Sequence, residues 1–129
     1  MEYCVDFDGT IVTHEYPEVG DPVPRALETL RQLRLNGDRI ILFTMRGGKE
    51  LEDAVLYLKA NGVQLYGINT NPTQKSWTES PKAYGQCYID DASIGMKLVN
   101  NPNGSKRPYV DWNFVRVMIH EKYGVDFYD

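Results

Sequence analysis

The sequence predicts an α/β fold: a doubly wound, mainly parallel sheet in a three-layer α/β/α arrangement, forming one domain over residues 1–129. Segments of strand and helix character alternate along the chain, the pattern of a parallel sheet covered on both faces. Several of the apolar strand-like runs end in polar residues at their C-terminal ends, where such sheets bind ligands. A chain of 129 residues has material for one core and too little for two ordinary domains.

The first strand lies in the run Tyr3-Cys4-Val5-Asp6-Phe7-Asp8-Gly9-Thr10-Ile11, which passes from apolar residues straight into two aspartates. Residues 9–20 read as a polar connection. Pro22 and Pro24 suit a helix start, and Val23, Ala26, Leu27, Leu30 and Leu33 then share one helical face until Gly37 offers a stop. Residues 39–43 are a β-branched apolar run of buried-strand type that delivers Thr44-Met45-Arg46-Gly47-Gly48 at its end. Leu51, Ala54, Val55 and Leu58 repeat at helical spacing, so a second helix starts just after the glycine pair and ends at Asn61-Gly62. Residues 63–68 are a weaker third strand and 69–81 a polar loop with two prolines. Residues 86–89 form the fourth strand, ending in Asp90-Asp91, and residues 100–108, rich in Asn, Pro and Gly, form an exposed loop before a last helix over 111–123.

The net charge is −4, and Lys106-Arg107 is the only tight basic pair, so a polymeric nucleic acid is not an expected partner. No run approaches the ~18 apolar residues of a membrane span, and the N-terminus lacks the basic flank and apolar stretch of a signal peptide. The expectation is a cytoplasmic protein with no membrane partner. Cys4 and Cys87 sit in apolar strand runs and read as reduced, buried thiols.

Three strands thus end in Asp6 and Asp8, in Thr44, and in Asp90 and Asp91, and right-handed crossovers gather these ends along one edge of the sheet. Four carboxylates around one point repel and raise one another's pKa unless a divalent cation sits among them. Hard oxygen donors with room for water suit Mg²⁺. A metal beside a helix N-terminus and a glycine-rich turn makes a place for a phosphoryl group, with a lysine to balance its charge. Lys82 is the first candidate for that lysine, and Lys75 and Lys49 are its rivals.

Asp6-Phe7-Asp8-Gly9-Thr10, the strand-end Thr44, Lys82 and Ile89-Asp90-Asp91 resemble, in order, the four motifs of the haloacid dehalogenase (HAD) superfamily of Rossmann-like hydrolases. The resemblance implies a phosphatase working through an aspartyl phosphate. Asp6 would be the nucleophile and a metal ligand, and Asp8 the acid and base, with its backbone carbonyl on the metal. Thr44 would bind phosphoryl oxygens, Lys82 would neutralise charge near Asp6, and Asp90 would complete the metal shell, with Asp91 ligating directly or through water. Arg46 at the strand end, Met45 and Gly47 beside it, and Phe7 between the aspartates are the expected substrate-binding residues. Neither window in which the superfamily inserts a cap domain is large enough to hold one. The chain therefore resembles the small capless group of bacterial and phage proteins that share the Asp-Phe-Asp-Gly-Thr-Ile-Val opening and a later Asp-Trp, here Asp111-Trp112.

The expected substrate is a small phosphomonoester such as a sugar phosphate or nucleotide, and a neighbouring subunit of a homo-oligomer could serve as lid. The alternatives are a 3′-phosphatase acting on nucleic-acid ends, disfavoured by the missing basic groove, and a receiver-like phosphoryl-accepting module. Against the receiver stands Asp8, a second carboxylate placed to discharge the phosphoenzyme. His14 and Glu15 read as solvated residues within reach of the site mouth. Trp77, in the loop before Lys82, reads as an aromatic that could contact substrate.

Overall fold

The computed structural model describes residues 1–128. Four strands form one parallel sheet: β1 (Glu2–Val5), β2 (Arg39–Leu42), β3 (Gly67–Ile68) and β4 (Cys87–Ile89), in the order β3-β2-β1-β4. The pairing is in simple register, with Val5 opposite both Leu42 and Ile89. The chain steps outward from β1 through β2 to β3 and then crosses back to β4 on the far side of β1. The strand order therefore reverses at β1, which places a ligand crevice beyond its C-terminal end.

Three helices accompany the sheet: α1 (Ala26–Leu35), α2 (Gly48–Ala60) and α3 (Trp112–Tyr123). Each forms where the apolar spacing predicts. Leu27, Leu30 and Leu33 bury one face of α1, and Ala54 and Leu58 bury the corresponding face of α2. Asp111 caps α3 by accepting from the backbone N–H of Asn113 and Phe114, and Gly124 ends it in the left-handed conformation.

The two faces of the sheet are not covered alike. Alternation along β1 sends Tyr3 and Val5 to one side and Cys4 to the other. Tyr3, Val5 and Phe7 share a single core with residues of all three helices, and Tyr3 and Phe7 meet Tyr123 of α3 and Tyr57 of α2 edge to face at 6.2 and 6.0 Å. The opposite face, carrying Cys4 and Ile41 with Phe43, Tyr66 and Tyr88, packs on Ala83. The expected second helical layer is replaced there by residues 69–86, whose regular structure is a 3₁₀ turn, Gln74–Ser76. That segment holds Pro72, Pro81 and Gly85 and lacks an amphipathic run, so side chains supply its order. Buried Gln74 donates to the carbonyls of Ser80 and Lys82 and accepts from the N–H of Tyr84, while Asn71 donates to the Tyr84 carbonyl.

A short antiparallel pair, β5 (Leu98–Val99) with β6 (Tyr109–Val110), brackets the loop over residues 100–108. Strands of two residues leave no readable period in sequence. Among the described residues no disulfide forms, and no helix is long and apolar enough to cross a membrane.

Candidate active site

Asp6 follows the last residue of β1 and its N–H donates to the Ile89 carbonyl at 2.9 Å, which sets it beside Asp90 at the end of β4. Asp91 comes next in the chain. One carboxylate oxygen from each of Asp6, Asp90 and Asp91 lies within 4.8 Å of the others. Burial, a hydrogen bond shared with Asp91 and the neighbouring charges of Asp90 and Asp91 push the Asp6 carboxyl up to about 8, against the pull of the Phe7 N–H. Asp90 is also raised, first by burial, and the Ala92 N–H that donates to it at 2.9 Å offsets part of the rise.

The turn after β1 is held by backbone bonds and by two buried side chains. The N–H groups of Thr10, Ile11 and Val12 all point to the Phe7 carbonyl. The Thr10 hydroxyl donates to Asp6 and accepts from the Asp91 N–H, both at 3.2 Å, and so couples two of the three acids. Trp112, buried at the start of α3, donates its indole N–H to the Thr10 carbonyl at 2.7 Å. The Asp111-Trp112 pair therefore acts as helix cap and turn anchor. Gly9 has φ +80°, and a Cβ there would collide with His14 Nε2 and come within 2.7 Å of Asp91 Oδ2. His14 Nε2 in turn lies 3.0 Å from Asp91 Oδ2. Thr10 and His14 are thus site residues that sequence reasoning missed or left in solvent. A hydroxyl one residue past Asp-Gly was the available signal for Thr10.

Asp8 is not part of the acidic cluster. Its carboxylate is gripped by Arg46, whose Nε and Nη2 donate to Oδ2 and Oδ1, both at 2.8 Å. The other guanidinium hydrogens go to the carbonyls of Pro17, Glu18 and Glu50, so all five N–H groups have protein acceptors. The Arg46 side chain is 1% exposed, with the rings of Phe7 and Tyr16 at 5.0 and 5.1 Å. Its hydrogen bonds to Asp8 hold the guanidinium proton more tightly than usual. Arg46 therefore has no donor left for a substrate oxyanion, which corrects the sequence expectation. Phe7 is corrected likewise: its ring is fully buried in the core and cannot touch a ligand.

Thr44 stands at the end of β2, its N–H donating to Asn69 Oδ1 at 2.8 Å and its hydroxyl accepting from the Arg46 N–H at 3.1 Å. Met45 is fully exposed, and Gly47 is exposed immediately before the N-terminus of α2. Lys82 is not ion-paired with Asp6 among the described residues. Its Nζ lies 5.4 Å from the centroid of the Tyr88 ring, and Tyr88 precedes Asp90 by one pleat on the same sheet face. Lys49 pairs with Asp53 at 3.1 Å, and Lys75 lines a surface hollow with Asn69, Gln74 and Glu79. Glu15 accepts from the Ser105 N–H, and Trp77 leans edge-on against Tyr84 at 5.3 Å. A larger apolar groove of about 720 Å³ runs beside β3 and α2, lined by residues such as Val55, Leu65 and Ile68, and includes none of the carboxylates. Its size gives it no chemistry, and the polar groups stand elsewhere.

This fold is similar to the solved structure of a conserved protein from Bacteroides thetaiotaomicron, with 34% of residues identical, 95% of this chain and 91% of that chain covered, and a TM-score of 0.78. The chain belongs to that protein's family. No family model and no curated protein matches it. The family likeness carries the α/β architecture, and the chemistry has to be argued from the side chains.

The donor set fits a hard divalent cation. Three carboxylates converge, and burial first and neighbouring acidic charge second raise Asp6 and Asp90, so a cation among them would favour their ionised forms. Mg²⁺ suits oxygen donors of this kind.

Proposed function

We propose that the chain is a Mg²⁺-dependent phosphomonoesterase of the HAD type that acts through an aspartyl phosphate on Asp6. The observation that carries this reading is the convergence of Asp6, Asp90 and Asp91 at the point where the strand order reverses. Asp6, Asp90 and Asp91 would hold the ion, which when bound supplies the positive charge that lets a carboxylate approach a phosphate dianion.

Asp6 attacks phosphorus in line while Asp8 gives a proton to the departing oxygen. Asp8 then takes a proton from the water that attacks the acyl phosphate, which frees phosphate and restores Asp6. Arg46 uses one lone pair on each Asp8 oxygen and leaves others for a proton, which Asp8 would have to carry into the first step and would regain from the water in the second. The Thr44 oxygen already accepts from the Arg46 N–H, so its hydrogen is available to a phosphoryl oxygen. The leading N–H groups of α2, which no side chain caps, add donors beside it. Lys82, on the sheet face of Asp6, would leave the Tyr88 ring and extend one pleat to meet the phosphoryl charge.

The test is phosphate release from a panel of phosphomonoesters in Mg²⁺ and in EDTA. Turnover that needs the metal and disappears in Asp6→Asn is expected. Failure on every ester, or full turnover by the variant, defeats the proposal, and a lasting aspartyl phosphate without release would turn the reading to a receiver.

A further inference from the structure

Each acid of the trio is met by a hydrogen-bonding group from outside it. The Thr10 hydroxyl donates to Asp6 at 3.2 Å, and the Ala92 N–H donates to Asp90 at 2.9 Å. Asp91 meets the imidazole of His14, whose Nε2 stands 3.0 Å from Oδ2. The first two donors are close in the chain to the acids they hold, whereas His14 is brought to Asp91 across 77 positions. Both side chains of this pair are largely buried, at 12% and 17% exposed.

The chain around His14 is fixed on both sides. Thr13 donates its N–H to the Asp21 carbonyl at 2.9 Å, and its hydroxyl accepts from the Asp21 N–H at 3.0 Å. Glu15 accepts from the Ser105 N–H at 2.8 Å. Gly9 leaves the space in which the pair meets, since a Cβ there would run into both His14 Nε2 and Asp91 Oδ2. A carboxylate that ligates a cation must be ionised, and an ionised carboxylate only accepts, so in that state Nε2 carries the hydrogen. A nitrogen that carries hydrogen has no lone pair for a metal. What it can do is fix one oxygen of Asp91 and keep the carboxylate from turning away from the ion.

We infer that His14 is a positioning residue of the metal site: its Nε2–H orients Asp91 toward the ion, and the imidazole itself does not ligate. This rests on the metal-binding part of the reading above. Two polar replacements isolate the Nε2 atom. His14→Gln carries an amide N–H at the reach of Nε2, and His14→Asn carries one that falls short of Asp91. The experiment is calorimetric titration of the parent and both variants with Mg²⁺ at one pH, with melting curves of the metal-free proteins alongside. His14→Asn should weaken Mg²⁺ binding about tenfold, the scale on which partners of metal ligands act, and His14→Gln should recover most of the loss. Unchanged affinity in His14→Asn, equal losses in the two variants, or a fall in metal-free Tm without a change in Kd overturns the inference and leaves the phosphatase intact. Titration with Ni²⁺, which suits imidazole, separates positioning from ligation. Similar losses for the two ions are expected, and a loss in both variants that is far larger for Ni²⁺ than for Mg²⁺ would make His14 a ligand and overturn the inference. A parent that binds no Mg²⁺ removes both this inference and the metal-dependent reading.

Discussion

Arg46 binds the site together more than any other side chain. Its five donors join Asp8 to the carbonyls of Pro17 and Glu18 in one loop and of Glu50 in the first turn of α2. Removing a buried partner costs more than the pair itself contributes, because the remaining charge is stranded. Arg46→Ala should therefore destabilise the fold by about 3–5 kcal/mol, read by urea or thermal unfolding. Arg46→Lys should recover part of the stability, since an ammonium restores charge but not the two-pronged grip on Asp8. An Arg46→Ala protein as stable as the parent would mean that the clamp is not held in solution. Gly9 makes a second, sterically different case. Gly9→Ala meets a left-handed φ, the His14 ring and the Asp91 carboxylate at once, so it should lower both stability and metal affinity, checked by melting with and without Mg²⁺.

At the scale of elements, α3 reaches the site through the turn residue Thr10. Its first residue, Trp112, pins the Thr10 carbonyl, and Thr10 orients Asp6 and Asp91 through its hydroxyl. Trp112→Phe keeps most of the packing but orphans a buried carbonyl, at about 1–3 kcal/mol. Asp111→Ala removes the cap, at about 1 kcal/mol, together with the exposed Lys97 ion pair at 3.7 Å. If the two variants lose equal stability and equal amounts of the proposed phosphatase turnover, the indole bond is not what steadies the turn. The Asp-Trp pair was visible in sequence as a pattern, but its purpose was not, because the bond spans 102 positions and depends on how α3 docks. The same division runs through the chain. Apolar repeats in α1 and α2 and the strand-end acids Asp6, Asp90 and Asp91 were legible because local spacing and burial encode them. The Arg46–Asp8 pair was not, since two side chains 38 residues apart choose each other only once β1 and β2 are side by side. The helix-free second face also escaped prediction: alternation of elements implies a helical layer, while residues 69–86 cover that face with a segment ordered by side-chain hydrogen bonds.

For the molecule as a whole, the acidic cluster ties stability to pH and, on the proposed reading, to metal. The Asp6 carboxyl titrates near its ordinary 3.8 in the unfolded chain and near 8 in the metal-free fold. Between those values the folded chain keeps a proton that the unfolded chain has released, so the contribution of Asp6 is fully present below 3.8 and is lost as pH rises through 8. On the proposed reading Mg²⁺ would act in the opposite sense. Binding the folded chain, it would add about 2.7 kcal/mol at roughly a hundred times its Kd, and it would have to displace the proton to do so. Metal-free protein should therefore lose stability relative to Asp6→Asn as pH climbs from 4 to 8, and the rise in Tm on adding Mg²⁺ should be largest at the alkaline end. The measurement is a set of melting curves for both proteins across that range, in Mg²⁺ and in EDTA. Identical curves in the two media at every pH would mean that the three carboxylates hold no ion, and a metal-induced rise that persists undiminished in Asp6→Asn would move the ion away from Asp6.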